Sequence, residues 1–206
     1  MTNREKYILS IYEELSDMGK HENVKLVKNT VNDGIYIKKT LKNYNIEIYK
    51  ILKNRQIKGI PKVYEIIEDE KELIIIEEYI HGLTLDKKYN KTDVETVKKI
   101  MEQLCNILKQ LHNMNPPIIH RDIKPTNIMV SNDDVVYLVD FNISREYDEN
   151  QSVDTVIMGT QGYASPEQCG FAQTDCRSDI YSIGMLMKNI LMVDEYPDKE
   201  TKRLKR

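Results

Sequence analysis

The sequence predicts an α+β fold in which strands come first and helices follow. Two short runs rich in apolar and β-branched residues, 24–28 and 35–38, are separated by an Asn-Asp-Gly turn, which is typical of a β-hairpin. The apolar run 73–76 has the length of a further strand. Between residues 94 and 111, apolar residues recur at spacings of three and four, which predicts a long amphipathic helix.

A shorter helix is predicted to open at Glu47, because the apolar residues that follow it recur at helical spacing. Asn43 or Asn45 can cap its first turn, and the pattern leaves both options open. Thr92 and Asp93 are placed to cap the long helix in the same way.

Composition limits the class of protein. The chain has 206 residues, of which 40% are hydrophobic and 31% charged, so it can bury a core. A formal net charge of −3 predicts neither a nucleic-acid partner nor an anionic membrane surface. We find no signal peptide and no apolar run long enough to span a membrane. Cys105, Cys169 and Cys176 form no C-x-x-C pair, which predicts reduced thiols and a cytoplasmic location.

Residues 120–127, His-Arg-Asp-Ile-Lys-Pro-Thr-Asn, hold the groups that phosphoryl transfer requires. Asp122 can orient an attacking hydroxyl, Lys124 can balance charge on a phosphate, and Asn127 can ligate a metal ion. A second carboxylate, Asp140, follows a strand-like run and begins the tripeptide Asp-Phe-Asn. The pattern predicts a phosphoryl-transfer site in which Asn127 and Asp140 bind the metal.

These motifs resemble those of the eukaryotic-type, or Hanks-type, serine/threonine protein kinases, whose catalytic loop is H-R-D-x-K-x-x-N and whose metal-binding motif is D-F-G. Residues 159–167 resemble the end of the family's activation segment, with Ser-Pro-Glu in place of Ala-Pro-Glu. Residues 179–184 resemble the start of its buried anchor helix. Lys124, two places after Asp122, favours the serine/threonine class over the tyrosine class. The scarcity of alanine beside abundant Ile, Lys and Asn indicates an AT-rich bacterial genome.

The resemblance implies a two-lobed protein-kinase-like fold, with a small β-rich N-lobe at 1–80 and a partial, helical C-lobe at 81–206. The chain is short for this family, so we expect a C-lobe that lacks its final helices. Glu167 would then lack the arginine late in the C-lobe with which the family pairs this glutamate. Self-association, or a partner that covers the missing helices, is expected on the same grounds.

The resemblance also implies an ATP site in the N-lobe. Lys38 falls at the lysine of the family's V-A-I-K strand, although its neighbour Lys39 competes for the role. Glu47 would be the helix glutamate that pairs with this lysine. The family's G-x-G-x-x-G loop is reduced here to Gly19, which predicts a weaker grip on the phosphates.

The segment after the strand at 73–76 resembles the hinge that binds adenine through its backbone, with Glu78 and Ile80 as the contacting residues. In this register, Glu77 guards the back of the nucleotide pocket, where the family usually has an apolar or small residue. A glutamate there either has a partner or faces solvent with the register shifted by one, and the sequence leaves both alternatives open.

Regulation by phosphorylation is implied by Arg121, which in related kinases holds a phosphorylated residue of the activation segment. Thr155 is the first candidate and Ser152 the next, while an unmodified surface threonine is the competing interpretation of Thr155. Thr160 is predicted to be a structural partner of the catalytic aspartate and lysine. Asn142 replaces the glycine of D-F-G, and asparagine tolerates a positive φ angle if the backbone requires one.

The implied function is a protein serine/threonine kinase that uses ATP with Mg²⁺, or alternatively Mn²⁺, to phosphorylate a protein substrate. A kinase-like regulatory or binding module with little turnover is the alternative, suggested by the reduced glycine loop and the missing helices. A small-molecule phosphotransferase shares the Asp and Asn spacing of the loop. Residues 159–167 argue against it, because that segment presents a peptide substrate.

Overall fold

The chain folds into two compact units. The computed structural model describes residues 1–18, 23–69, 72–89, 92–148, 159–169 and 173–191. One unit comprises Met1–Ile57 and Pro61–Ile80, and the other comprises Lys58–Ile60 and the residues from His81 onward. Among the described residues the first unit has one sheet and the second has two, and each unit has its own buried core.

An antiparallel sheet of five described strands forms the first unit, in the order β1-β2-β3-β5-β4. Its strands are β1 (Tyr12–Asp17), β2 (Val24–Asn29), β3 (Ile35–Leu41), β4 (Val63–Asp69) and β5 (Glu72–Glu78). Its helices are α1 (Asn3–Ser10) and α2 (Ile46–Asn54). The predicted hairpin is confirmed, since β2 and β3 pair directly across the Asn-Asp-Gly turn.

Helix α2 begins one residue before the predicted position. The side chain of Asn45 accepts a hydrogen bond from the backbone N–H of Glu47 at 3.1 Å, so Asn45 rather than Asn43 is the cap. The apolar face of α2 is buried through Ile48, Tyr49 and Leu52. Burial of this face, rather than the length of so short a helix, is what stabilises it.

The second unit combines helices with short strands. Its helices are α3 (Leu85–Lys88), α4 (Val94–His112) and α5 (Cys176–Ile190). Its strands are β6 (Gly82–Thr84), β7 (Ile118–Ile119), β8 (Ile128–Ser131), β9 (Val136–Leu138) and β10 (Arg145–Glu146). Strand β8 lies between β6 and β9, and β7 pairs with β10. Short 3-10 helices at Pro125–Asn127 and Pro166–Cys169 complete the described part of this unit.

Helix α4 is the core element of the second unit, and the helix predicted at 94–111 is confirmed. Asp93 caps it by accepting a hydrogen bond from the backbone N–H of Thr96 at 2.9 Å. The apolar positions predicted to share one face are all buried except Val94: Val97, Ile100, Met101, Leu104, Ile107, Leu108 and Leu111. This face packs towards β7, β9 and α5 and so supports the strands that flank the catalytic loop.

Two further predictions concern membranes and thiols. None of the helices within the described ranges has both the length and the apolar character required to cross a bilayer. Cys105 and Cys176 are free thiols, and burial raises the pKa of both.

Gly59 occupies a position that only glycine fits. Its φ angle is +85°, and an added Cβ would lie 2.5 Å from Cδ1 of Ile107. We therefore expect Gly59→Ala to lower the free energy of unfolding by about 1 to 3 kcal/mol. Gly184 in α5 is the matched control: a Cβ there meets nothing within 4 Å, so Gly184→Ala should stabilise by about 0.5 to 1 kcal/mol. Urea denaturation measures both, and equal effects at the two sites would contradict this account.

The cap of α4 predicts a pH dependence. Hydrogen bonds from the backbone N–H and the hydroxyl of Thr96 lower the pKa of Asp93 from 3.8 to about 2. Because the pKa in the folded state is depressed, the stabilisation is present above pH 3.8 and is lost as the pH falls through 2. The difference in unfolding free energy between the parent and Asp93→Asn should therefore shrink over this interval. A difference that stays constant in acid would rule out the charged cap.

Candidate active site

The catalytic loop is held between short strands. It starts at His120, directly after β7, and ends in the 3-10 helix Pro125–Asn127, which leads into β8. The backbone N–H of Val139, just after β9, donates to the carbonyl of Asn127 at 2.9 Å. A ring nitrogen of His120 lies 3.2 Å from the carbonyl oxygen of Val139. Val139 therefore contacts both ends of the loop, and Asp140 is the next residue in the chain.

Asp122 is the centre of a closed polar network. Its Oδ2 accepts hydrogen bonds from Lys124 Nζ and Asn127 Nδ2, both at 2.8 Å. Its Oδ1 accepts one from Thr160 Oγ1 at 2.7 Å. Lys124 Nζ also donates to Thr160 Oγ1 at 2.9 Å, which closes the ring. The structure thus brings together the loop residues that the sequence singled out, with Thr160 in the expected contact, and fixes the direction of the Asp122 carboxylate.

The orientation of the Asn127 amide follows from its neighbours. Nδ2 donates to the backbone carbonyl and to the carboxylate of Asp122, at 2.9 and 2.8 Å. Both groups only accept hydrogen bonds, so the nitrogen must face them and the amide oxygen must point elsewhere. Within the described ranges this oxygen has no hydrogen-bond partner. It is therefore available as a ligand for a hard cation.

Asp140 has the features of a metal ligand. Its φ angle is +66°, a left-handed conformation that costs free energy and is common at functional sites. Its Oδ1 is buried and accepts no hydrogen bond from the part of the chain that the structure describes. A buried carboxylate oxygen without a partner is costly, and a bound cation would remove that cost. This orphaned oxygen is the observation that fits a divalent metal.

No cluster of three or more His, Cys, Asp or Glu side chains suited to a metal occurs among the described residues. Mg²⁺ is usually bound by one or two carboxylates together with substrate phosphates and water. Asp140 and Asn127 are of the right chemical type for that arrangement.

Asn142 carries no backbone strain. The non-glycine residues with positive φ in the described chain include Asp140 but not Asn142. The left-handed turn therefore falls on the aspartate, and asparagine in place of the family's glycine needs no special conformation. Phe141 is buried and meets the ring of His120 edge-on, with centroids 4.7 Å apart. Burial lowers the pKa of His120 and so favours the neutral ring.

Asp179 anchors the catalytic loop to α5. Its fully buried carboxylate accepts hydrogen bonds from the backbone N–H groups of His120 and Arg121, both at 2.9 Å. His112 Nε2 lies 2.8 Å from the same carboxylate. Arg121 has a φ angle of +71°, so this anchor holds the backbone in a conformation that it would otherwise avoid.

Gln168 is a second anchor, which the sequence analysis missed. Its buried side chain donates from Nε2 to the carbonyl oxygen of Arg121 at 2.7 Å. Its Oε1 accepts from the backbone N–H of Ser165 at 3.0 Å. The link joins the end of the activation segment to the catalytic loop. A glutamine after Ser-Pro-Glu gives no local signal of this contact, because its partner lies far away in the chain.

Glu167 has a hydrogen-bond partner on a neighbouring helix. Its Oε1 accepts a hydrogen bond from Ser178 Oγ of α5 at 2.6 Å, and the side chain is half-buried rather than buried. Burial raises the pKa of Glu167, but hydrogen bonds led by that of Ser178 outweigh it and leave the pKa below its ordinary value. Within the described residues the partner of Glu167 is thus a serine, and the expected lack of an arginine partner stays a prediction, because residues 192–206 lie outside the described chain.

The expected ion pair between Lys38 and Glu47 does not form in the described chain, so this prediction was wrong. Lys38 Nζ lies 2.8 Å from Glu14 Oε1 on β1, whereas Glu47 pairs with Lys50 on its own helix at 2.7 Å. Residues of a strand alternate between faces, and Lys38 shares its face with Glu14. Glu47 lies in the exposed first turn of α2.

The neighbouring lysine has the buried carboxylate partner instead. Lys39 Nζ lies 2.6 Å from Glu77 Oε1, and the two side chains are only 11% and 9% exposed. Of the two alternatives for Glu77, a partner or exposure to solvent, the structure has the first.

Of the remaining predicted residues, Glu78 ends β5, Ile80 follows that strand, and the others lie outside the described chain. The backbone N–H of Glu78 donates to the carbonyl of Lys62 at 2.9 Å, so Glu78 remains part of the sheet. Ile80 follows β5, and its backbone N–H has no hydrogen-bond partner within the ranges that the structure covers. Gly19, Ser152 and Thr155 fall outside the described residues.

Named kinases resemble part of this chain. A probable serine/threonine-protein kinase of Clostridium acetobutylicum is 36% identical over 131 residues, which are 63% of this chain and 20% of that protein. Serine/threonine-protein kinase A of Synechocystis is 36% identical over 137 residues, 60% of this chain and 26% of the relative. Serine/threonine-protein kinase PknB of Mycobacterium tuberculosis is 36% identical over 121 residues, which are 57% of this chain and 19% of that protein. The matches thus span about a fifth to a quarter of the curated relatives' length.

The family itself is identified from a longer match. The family model described as protein kinase domain matches residues 14–205, which is most of the 206-residue chain and includes both folded units. The described fold agrees with it, since a β-rich first unit is followed by a unit that holds the catalytic loop. The chain therefore belongs to the protein kinase domain family.

Proposed function

We propose that this chain is an ATP-dependent protein serine/threonine kinase, which transfers the γ-phosphoryl group of ATP to a serine or threonine hydroxyl of a protein. The observation that carries the proposal is the closed network of Asp122, Lys124, Asn127 and Thr160. It places a cation and an amide each at hydrogen-bond distance from the same carboxylate. The names of the bacterial relatives support the same substrate class.

Asp122 is proposed to orient the substrate hydroxyl and to accept its proton as the phosphoryl group is transferred. Its carboxylate is held from both oxygens, so it enters the reaction already positioned. Lys124 lies 2.8 Å from Asp122 and can also balance the negative charge of the phosphoryl group in flight. Thr160 fixes these two groups relative to each other.

Protein kinases use ATP together with a divalent metal ion. Asn127 and Asp140 are proposed to hold that metal, because each presents an oxygen without a hydrogen-bond partner in the described chain. Mg²⁺ is the preferred ion and Mn²⁺ the alternative, since both favour oxygen ligands. When bound, the ion neutralises charge on the phosphates. The backbone of Glu78 and Ile80 is proposed to contact adenine.

Regulation, partners and location extend the proposal. Arg121 as a phosphate sensor, with Thr155 as the phosphorylated residue, stays a prediction. Self-association, or binding of a partner that covers the C-lobe, also stays a prediction. A cytoplasmic location is supported by the free thiols of Cys105 and Cys176.

The central test is Asp122→Asn. The substitution keeps the size and much of the hydrogen bonding of the side chain but removes the base, so phosphoryl transfer should fall by about 10²- to 10⁴-fold. Transfer of labelled phosphate from ATP with Mg²⁺ to the chain itself and to a generic basic protein measures the loss. Circular dichroism should show an unchanged fold.

Two outcomes contradict the proposal. Transfer that persists in Asp122→Asn would remove Asp122 from the catalytic role. A parent chain that folds and binds a partner, yet shows neither transfer nor a thermal shift with ATP and Mg²⁺, would favour the regulatory module.

The assignment of Asp140 as a metal ligand predicts that its substitution weakens the binding of ATP with Mg²⁺. Asp140→Asn removes a charged ligand, so the increase in melting temperature that ATP and Mg²⁺ produce in the parent should be lost or strongly reduced. Asp133→Asn, which changes an exposed loop aspartate, is the matched control and should keep the shift. An undiminished shift in Asp140→Asn would show that the metal is held elsewhere.

A further inference from the structure

The two adjacent lysines of β3 lie on opposite faces of the sheet. Lys38 is directly opposite Lys25 of β2, and both pair with Glu14 of β1, at 2.8 and 2.6 Å. Glu14 is 41% exposed, so this group of charges is in contact with water. Ion pairs of this kind contribute little energy and fix a side chain only loosely.

Lys39 has a different environment. Its neighbours along the strand on the same face, Ile37 and Leu41, are both buried. On β5, Lys39 is opposite Ile75 and Ile37 is opposite Glu77, so Lys39 and Glu77 are diagonal neighbours on one face. The resulting pair has an Nζ to Oε1 distance of 2.6 Å.

Buried ion pairs are uncommon on the core face of a sheet. Removing two charges from water is costly, and apolar residues of similar size often stabilise a protein at least as well. The surrounding positions Ile37, Ile75 and Leu41 are apolar, so the pair stands out from its own core. The pair is therefore weak evidence of a stabilising role, which leaves a functional role to be tested.

Phosphoryl transfer by a kinase needs one fixed lysine on this strand, held by a carboxylate while it contacts the phosphates of the nucleotide. The helix carboxylate that would ordinarily hold it, Glu47, is 60% exposed and bound to Lys50. Glu77 supplies the equivalent charge from the neighbouring strand. Because β3 and β5 are hydrogen-bonded along their length, the Lys39–Glu77 distance is set by the sheet and not by the position of α2.

We infer that Lys39, and not Lys38, is the lysine that binds the phosphates of the nucleotide, and that Glu77 of β5 holds it in place. The inference rests on the proposed kinase function. It assigns Lys39 as a substrate-contacting residue and Glu77 as a positioning residue. It also implies that movement of α2 is not needed to assemble this pair.

Affinity labelling tests the assignment without relying on activity. An adenosine that carries a benzoyl sulfonyl fluoride at its 5′ oxygen binds as ATP does, and the lysine amine beside the phosphate position displaces fluoride to form a sulfonamide. Peptide sequencing by mass spectrometry distinguishes the two neighbouring lysines. We expect labelling of Lys39 that excess ATP suppresses.

Each labelling result has a distinct meaning. ATP-protected labelling of Lys38 would overturn the inference and leave the proposed kinase function standing. The absence of ATP-protected labelling at either lysine, together with no phosphate transfer by the parent, would overturn both.

Substitution tests the same assignment by activity. Lys39→Met should lower kcat/KM by about 10²-fold or more, as expected for the loss of a fixed charge at the phosphates. Lys38→Met should retain transfer, as should the control Lys42→Met, whose side chain is 81% exposed. The opposite order, with Lys38→Met inactive and Lys39→Met active, would refute the inference.

A purely structural pair needs its own control, because Lys39→Met leaves Glu77 buried without its counter-charge. The double variant Lys39→Met with Glu77→Gln removes both charges and should recover the melting temperature while remaining inactive. Recovery of transfer in this double variant would show that the pair serves folding alone.

Glu77 is tested by comparing Glu77→Gln with Glu77→Asp. As a positioning residue, Glu77 should affect kcat and the KM for ATP, and the charge-preserving Glu77→Asp should recover activity that Glu77→Gln loses. Equal kinetics in the two variants, with only the melting temperature changed, would remove Glu77 from this role.

Discussion

The geometry of the candidate site depends on one buried carboxylate, that of Asp179. Its two oxygens accept the backbone N–H groups of His120 and Arg121, and Oδ2 is also 2.8 Å from Nε2 of His112. A buried carboxylate is tolerated only where it is hydrogen-bonded, and here the loop backbone supplies two of the bonds. The dependence is mutual, since Arg121 keeps a left-handed φ of +71° only because Asp179 and Gln168 hold its peptide groups.

The polar groups of the site fall into two classes with different consequences. The Asp122 carboxylate is satisfied from both oxygens, which fixes a reactive group in one direction. Asp140 is the reverse, because one of its buried oxygens has no partner within the described chain. A carboxylate with hydrogen bonds to both oxygens is held in one orientation, whereas a buried carboxylate oxygen without a hydrogen-bond partner favours the binding of a cation. Both properties are needed for phosphoryl transfer, and the short β8–β9 hairpin supports both.

Local patterns in the sequence predicted much of the fold and the second unit's site. The β2–β3 hairpin followed from its turn residues, and α4 from its apolar period, because both signals are contained within a few neighbouring residues. The contact of Thr160 with Asp122 followed from motif order. Side-chain contacts between separate elements with no motif, such as Gln168 with Arg121 and Glu167 with Ser178, could not be predicted from local sequence.

The sequence by itself determined the family, and the spacing of its motifs predicted Asp122, Lys124, Asn127 and Asp140 as the groups proposed for phosphoryl transfer. Only the tertiary structure decided which charged side chains form ion pairs with each other. The choice between two adjacent lysines of β3 depends on the face of the sheet that each occupies, and a one-residue change of register reverses it. The structure alone therefore shows that Lys39, buried against Glu77, and not Lys38, has the fixed counter-charge.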